Sequence, residues 1–143
     1  MAQVQDLMTK HVVTIDQDKT AHDAAKIMES NHIGCLVVVK DGNPVGIITE
    51  RDLVHRVCAK NQRSEDISLN SIISRPLVSV NPESSVLEVA QTMTRNKIRR
   101  LLVVKDQKPA GIITATDLAK HLRWGKTPQE MTNDILKAIE REA

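Results

Sequence analysis

The sequence predicts a mixed α/β (α+β) fold: two β-α-β-β-α repeats packed around a pseudo-twofold axis, plus a C-terminal helix. Three observations carry this expectation. Residues 6–57 slide onto residues 71–122 at a constant offset of 65 without a gap, and 17 of the 52 aligned positions are identical. Average residue usage would give roughly three such matches, so the halves are copies of one unit. Within each copy, short β-prone runs alternate with helical periodicity. Finally, a repeat of about 50 residues buries too little apolar surface to stand alone, so the copies are expected to pack on each other.

Taken in order, the first copy starts with the β-prone run Val12-Val13-Thr14-Ile15. The polar turn Asp16-Gln17-Asp18-Lys19 follows, and Thr20 precedes a helical pattern with Ala21, Ala24, Ala25 and Met28 on one face. In the second copy the same start reads Ser85-Val86-Leu87-Glu88, the S-x-x-E form of a capping box. The helix over 20–31 gives way to a continuous apolar strand over 33–39. Asp41-Gly42-Asn43 makes a hairpin turn, and Val45-Gly46-Ile47-Ile48 returns as the partner strand. A second helix runs from about residue 50 to 59 with Leu53, Val54 and Val57 inward. The expected organisation is therefore repeat 1 over 1–58, a polar connector over 59–70, repeat 2 over 71–124 and a helical extension over 125–143. In that extension Gly125 breaks the preceding helix, and Thr127-Pro128-Gln129-Glu130 starts another with a Thr cap, Pro at the first position and Glu at the third. Met131, Ile135, Ala138 and Ile139 give it an apolar stripe, suited either to its own domain or to a second subunit.

Composition excludes several classes of function. Hydrophobic content of 41% and charged content of 27% are those of an ordinary globular protein. No apolar run approaches the roughly 20 residues of a membrane span, and residues 1–6 are not a signal peptide, so a cytoplasmic location without membrane contact is expected. The net charge of +2 is far from a polybasic footprint. Phe and Tyr are absent and Trp124 stands alone, which argues against nucleic-acid binding by base stacking. Cys35 and Cys58 have no metal or redox spacing, and Cys35 sits inside an apolar run as a small apolar side chain. His11, His22, His32, His55 and His121 show no metal-motif spacing. There is no Walker loop and no G-x-S-x-G nucleophile motif, so neither a metal site nor an enzyme is expected.

One stretch recurs with its chemistry intact. Gly46-Ile47-Ile48-Thr49-Glu50-Arg51-Asp52 is matched by Gly111-Ile112-Ile113-Thr114-Ala115-Thr116-Asp117. Each runs from a buried strand through a Thr into a helix whose third position is Asp. A strand handing over to a helix leaves backbone N–H groups free at the junction, which suits an anion. These junctions, the starts Asp6-Leu7-Met8-Thr9 and Ser71-Ile72-Ile73-Ser74, and the apolar runs 36–39 and 101–104 resemble a tandem pair of cystathionine-β-synthase (CBS) domains, a Bateman module. The resemblance covers about residues 6–122, with no catalytic domain beside it.

This resemblance implies a stand-alone, non-catalytic ligand sensor for AMP, ADP or ATP, or for S-adenosylmethionine and related adenosyl compounds. It also implies homodimers of modules forming a flat disc, and an unidentified protein that reads the signal. The motif Thr would contact phosphate and the Asp both ribose hydroxyls, since a carboxylate offers two acceptors to a cis-diol and the hydroxyl adds a donor. Alternatively, Thr-x-x-Asp is only a helix-capping pair, and the module is an interaction scaffold with vestigial sites.

In related modules the strand start of one copy faces the junction of the other, which predicts two unequal sites. The favoured one combines Thr49 and Asp52 with Arg99 and Arg100, and its base lies against the 73–78 segment (Ile73 to Val78) and Ile98. Two adjacent guanidiniums suit phosphate; the alternative is that they are solvated cations guarding a strand end. The second combines Thr114 and Asp117 with the 8–13 segment (Met8 to Val13), Ile33, Gly34 and Cys35. Lacking arginines, it is expected to bind phosphate more weakly or to prefer a less charged adenosyl ligand. Arg51 and His55 could assist phosphate, but they read better as exposed helix residues.

Overall fold

A computed structural model of the chain describes residues 2–73, 77–124 and 129–142. It is an α+β structure with two three-stranded sheets, one in each of two compact units. The first unit is Val12–Leu77; the second joins Met1–His11 to Val78–Ala143.

In the first unit, strand β1 (Thr14–Asp16) pairs parallel with β2 (Cys35–Lys40), and β2 pairs antiparallel with β3 (Asn43–Thr49). The central strand β2 holds Leu36, Val37 and Val38 fully buried, which explains why its sequence reads as a continuous apolar run rather than an alternation. The β2–β3 turn places Asp41 (φ 52°) and Gly42 (φ 80°) in the left-handed region, as a two-residue type I′ hairpin requires. Helix α1 (Val4–Leu7) precedes this unit in the chain but belongs to the second, and the crossover from β1 to β2 is α2 (Ala21–Asn31), with Ala21, Ala24 and Met28 buried. Thr20 caps α2: its hydroxyl accepts from the Asp23 N–H at 3.1 Å, while Asp23 Oδ2 accepts from the Thr20 N–H and hydroxyl, both at 3.0 Å. The helix ends at His32 in the left-handed conformation (φ 53°), and the Ile33 N–H reaches back to the Met28 carbonyl at 3.1 Å. That bond closes the last turn and aims the chain into β2.

The helix expected over 50–59 is only partly α-helical. After α3 (Glu50–Leu53) the chain widens into a π-helical turn over Val54–Cys58. Its bonds reach five residues back, from the Ala59 N–H to the Val54 carbonyl (2.8 Å) and from the Gln62 N–H to the Val57 carbonyl (3.2 Å). Val54, expected inward, is 55% exposed, while Val57 stays buried. The wider turn keeps one apolar side chain on the core and rotates its neighbour out. The connector is also more than a polar link. Leu69 is fully buried, its N–H donates to the Lys19 carbonyl (2.9 Å), and the Ala21 N–H donates to Ile67 (2.8 Å). Ile72 and Ile73 complete the same core; Ser74 and the rest of 74–76 lie outside the described residues.

The second unit repeats the plan with β4 (Ser79–Val80), α4 (Val86–Asn96), β5 (Arg100–Lys105), β6 (Lys108–Thr114) and α5 (Ala115–Trp124). Ser85 caps α4 by accepting from the Glu88 N–H at 3.1 Å, one arm of the expected box. A last helix, α6 (Gln129–Glu142), packs on α4 and α5 and buries Ile135 and Ala138 completely. Its apolar stripe thus serves its own unit. Gly125, Thr127, Pro128 and the Met131 side chain lie outside the described residues.

The compact units do not follow the repeat boundaries, because the start of the chain docks on the second copy. Val4 is fully buried there, its N–H donating to Ser84 (2.9 Å), and Thr9 exchanges backbone bonds with Ile112 at 2.9 and 3.0 Å. Those bonds occupy part of the β6 edge that would otherwise stand unpaired. Gly111 permits this approach: a Cβ there would lie 2.5 Å from Met8 Sδ and 2.8 Å from the Thr9 carbonyl oxygen.

Gly111→Ala is accordingly expected to lower stability by about 1–3 kcal/mol, read as a reduced midpoint in urea; an unchanged midpoint would show that the segment yields freely. The Asp23 carboxyl is held below its ordinary value of 3.8, first by the hydrogen bond from the Thr20 N–H. A lowered folded-state pKa stabilises the protein above the unfolded value and loses that contribution as pH falls through the folded one. The stability gap between the wild-type protein and Asp23→Ala should therefore be constant near neutrality and narrow below about pH 4. A gap independent of pH in acid unfolding would contradict this.

Candidate ligand-binding site

Both strand-to-helix junctions adopt one geometry. Thr49 is extended (φ −119°, ψ 164°) at the end of β3, and its hydroxyl accepts from the Asp52 N–H at 3.1 Å. Asp52 Oδ2 accepts in return from the Thr49 N–H at 2.9 Å. Thr114 and Asp117 repeat both bonds at 3.1 and 2.9 Å. The helix-capping reading of Thr-x-x-Asp is thus realised at both junctions. It does not exhaust the side chains. Each carboxylate keeps Oδ1 outside the box, and neither threonine hydroxyl donates within it, unlike Thr20, whose hydroxyl donates to Asp23. A cis-diol needs carboxylate acceptors and a phosphate needs donors, and both remain.

The backbone sets each junction beside the strand start of its own copy. The Glu50 N–H donates to the Gly34 carbonyl and the Ala115 N–H to the Arg99 carbonyl, both at 2.9 Å. Cys35 stands opposite Thr49 in the β2–β3 ladder, and Arg100 opposite Thr114 in the β5–β6 ladder. Ile33 and Ile98 are half-buried just before these strands, each held by a bond back into the preceding helix. Within the first unit, then, the fold gathers Thr49, Asp52 and Ile73 with Val13, Ile33, Gly34 and Cys35. Within the second it gathers Thr114, Asp117 and Met8 with Val78, Ile98, Arg99 and Arg100. Met8 lies against Gly111, three residues before Thr114.

Arg56 was not singled out by the sequence. Its Nε lies 3.8 Å from Asp52 Oδ1, and its Nη1 donates to the Ile72 carbonyl at 3.0 Å. The spacing of four from Asp52 was visible as a helix pair; the bond to Ile72 depends on tertiary packing. Arg56 therefore pairs with the carboxylate oxygen that the first capping box leaves over and links it to the end of the connector. At the matching position the second copy has His121. Arg51 and His55 are exposed, as expected of solvated helix residues. Among the described residues no cluster of His, Cys, Asp and Glu could hold a metal ion, and no helix is long and apolar enough to cross a membrane.

Paired α+β units with a Thr-x-x-Asp junction in each define a class of tandem regulatory domains, and comparison with known proteins gives the family. Residues 4–59 and 69–123 each match the CBS domain pattern. The chain belongs to the CBS domain family, as a pair of such domains, and CBS pairs are regulatory ligand-binding modules, typically non-catalytic. It is 34% identical over 119 residues to the CBS domain-containing protein YhcV of Bacillus subtilis, covering 83% of this chain and 84% of that one. Several other curated relatives are longer, and the chain spans about half their length. Among solved structures, a hexameric CBS-CP12 protein from bloom-forming cyanobacteria superposes with a TM-score of 0.81 at 31% identity, covering 99% of this chain and 85% of that one. The CBS pair of protein MJ0100, in complex with 5′-methylthioadenosine and S-adenosyl-L-methionine, gives 0.78 at 27% identity, covering 88% and 99%.

Because the motif threonine caps a helix, Thr49→Ala should cost about 1 kcal/mol of stability and Thr49→Ser almost nothing. Equal stability of the alanine variant and the wild type in chemical denaturation would show that the box carries no load.

Proposed function

We propose that the chain is a non-catalytic sensor of an adenosyl ligand, AMP, ADP or ATP in the first instance, bound through its two Thr-x-x-Asp junctions. The observation that carries this reading is what the capping boxes leave over: a hydroxyl donor at each junction, and a carboxylate Oδ1 that lies outside the box at both, paired at the first junction with Arg56 at 3.8 Å. Asp52 and Asp117 take the ribose diol; Thr49, Thr114 and neighbouring N–H groups face the phosphate or its substitute. Arg99 and Arg100 serve Thr49 and Asp52 with phosphate contacts, and Ile73, Val78 and Ile98 cover the base. Met8, Val13, Ile33, Gly34 and Cys35 serve Thr114 and Asp117. The complex of the MJ0100 pair with two adenosyl compounds supports the ligand class, and the hexameric relative supports assembly into oligomers, here a homodimer of modules. Ligand preference for one arrangement of the assembly would shift the surface offered to a regulated protein.

A second reading follows from the β5–β6 ladder. Arg100 stands opposite Thr114 on one face of its own sheet, so the arginines could serve Thr114 and Asp117 instead.

Titration calorimetry and thermal shift with AMP, ADP, ATP and S-adenosylmethionine test the proposal. A ligand at about 100 times its Kd adds about 2.7 kcal/mol, several degrees for a chain of this size. Asp52→Asn and Asp117→Asn should each weaken binding about tenfold or more at their own site. A double-mutant cycle then separates the two readings: Arg99→Ala/Arg100→Ala couples to Asp52→Asn in the first and to Asp117→Asn in the second. Absence of any shift at millimolar ligand would eliminate the sensor.

A further inference from the structure

The two strand starts share one backbone frame and differ in charge. Gly34, Cys35 and Glu50 in the first copy occupy the positions of Arg99, Arg100 and Ala115 in the second. Their N–H to carbonyl bonds are equal at 2.9 Å, and their ladders run in the same register. One carboxylate in the first copy thus replaces two guanidiniums in the second.

Packing shows how the exchange is made. The Glu50 side chain folds across Gly34: a Cβ on Gly34 would lie 3.0 Å from Glu50 Oε1 and 3.5 Å from its Cδ. Where the second copy has the root of the Arg99 side chain, the first has a carboxylate oxygen. In the second copy Ala115 is buried and too short to reach over Arg99. Glycine with glutamate, and arginine with alanine, are complementary ways to fill the same corner with opposite charge.

We propose that Glu50 sets the ligand charge accepted at the Gly34 strand start, turning away a 5′-phosphate and admitting an adenosyl compound whose 5′ substituent is uncharged or cationic. This rests on the adenosyl-binding reading above and assigns its specificity at one residue. A carboxylate beside a phosphate costs binding energy, beside a sulfonium it gains some, and toward a neutral thioether it is nearly indifferent. Glu50 is exposed, so salt should mute the effect.

The test is titration calorimetry at low and moderate salt with AMP, ATP, 5′-methylthioadenosine and S-adenosylmethionine, on the full chain and its Glu50→Gln and Glu50→Ala variants. The second variant installs the residue found at position 115, so the same fold is expected to tolerate it. Both variants should gain about three- to tenfold for AMP at low salt, and more for ATP. They should lose a similar factor for S-adenosylmethionine and leave methylthioadenosine within about twofold, all differences shrinking with added salt. Equal changes for charged and neutral ligands, or no change at all, would overturn the assignment while leaving the sensor intact. No binding of any of the four by the wild-type chain would overturn both.

Discussion

Each handover from strand to helix is closed by one reciprocal pair of hydrogen bonds. The threonine hydroxyl takes the aspartate N–H, and the aspartate carboxylate takes the threonine N–H. This pair satisfies two backbone donors that a helix start would otherwise leave bare. It fixes where the helix begins and so sets which helical residues face the sheet. It also fixes the orientation of the carboxylate, because Oδ2 is committed and Oδ1 must point away from the box. A structural cap and a ligand contact are therefore not rivals at these positions. In the proposed sensor the cap would preorganise the oxygen that meets the ribose, and holding a group in place beforehand lowers the cost of binding.

Around that pair the two copies have diverged. At the first junction a π-helical turn follows the first α-turn, and Arg56 beyond it reaches both Asp52 and the Ile72 carbonyl. π-turns widen a helix at a cost in hydrogen-bond geometry and are frequent at functional sites. Here the widening exposes Val54, keeps Val57 on the core, and lies in the segment that holds Arg56. The second junction continues as a regular helix, α5, against which α6 packs. Divergence in helix type, in the arginine tether and in the charge of the strand start means that the two junctions are chemically distinct despite equal capping distances.

Much of this was legible in the sequence, for physical reasons. The hairpins, the Thr20 and Ser85 caps and the buried central strands each rest on a local rule, and duplication allowed one copy to confirm the other. Thr49 and Asp52 could be named because their role depends on a spacing of three. What escaped depends on contacts distant along the chain. Nothing in residues 1–11 says that they dock on the second copy; that approach is permitted by Gly111, whose missing Cβ makes room for Met8 and Thr9. The inward placement assigned to Val54 assumed 3.6 residues per turn, which the π-turn breaks. Glu50 was not singled out by the sequence, and the role proposed for it rests on its position over Gly34.

A CBS pair that senses an adenosyl compound should retain some of it through purification. Native mass spectrometry of the chain purified without added ligand, followed by denaturation and identification of what is released, tests it most directly. The released mass should belong to an adenine nucleotide or an S-adenosyl-type compound, and should be lost or reduced when Asp52 and Asp117 are both replaced by Asn. A reproducibly released ligand with no adenosyl group, or adenosyl binding undiminished in the double variant, would contradict it.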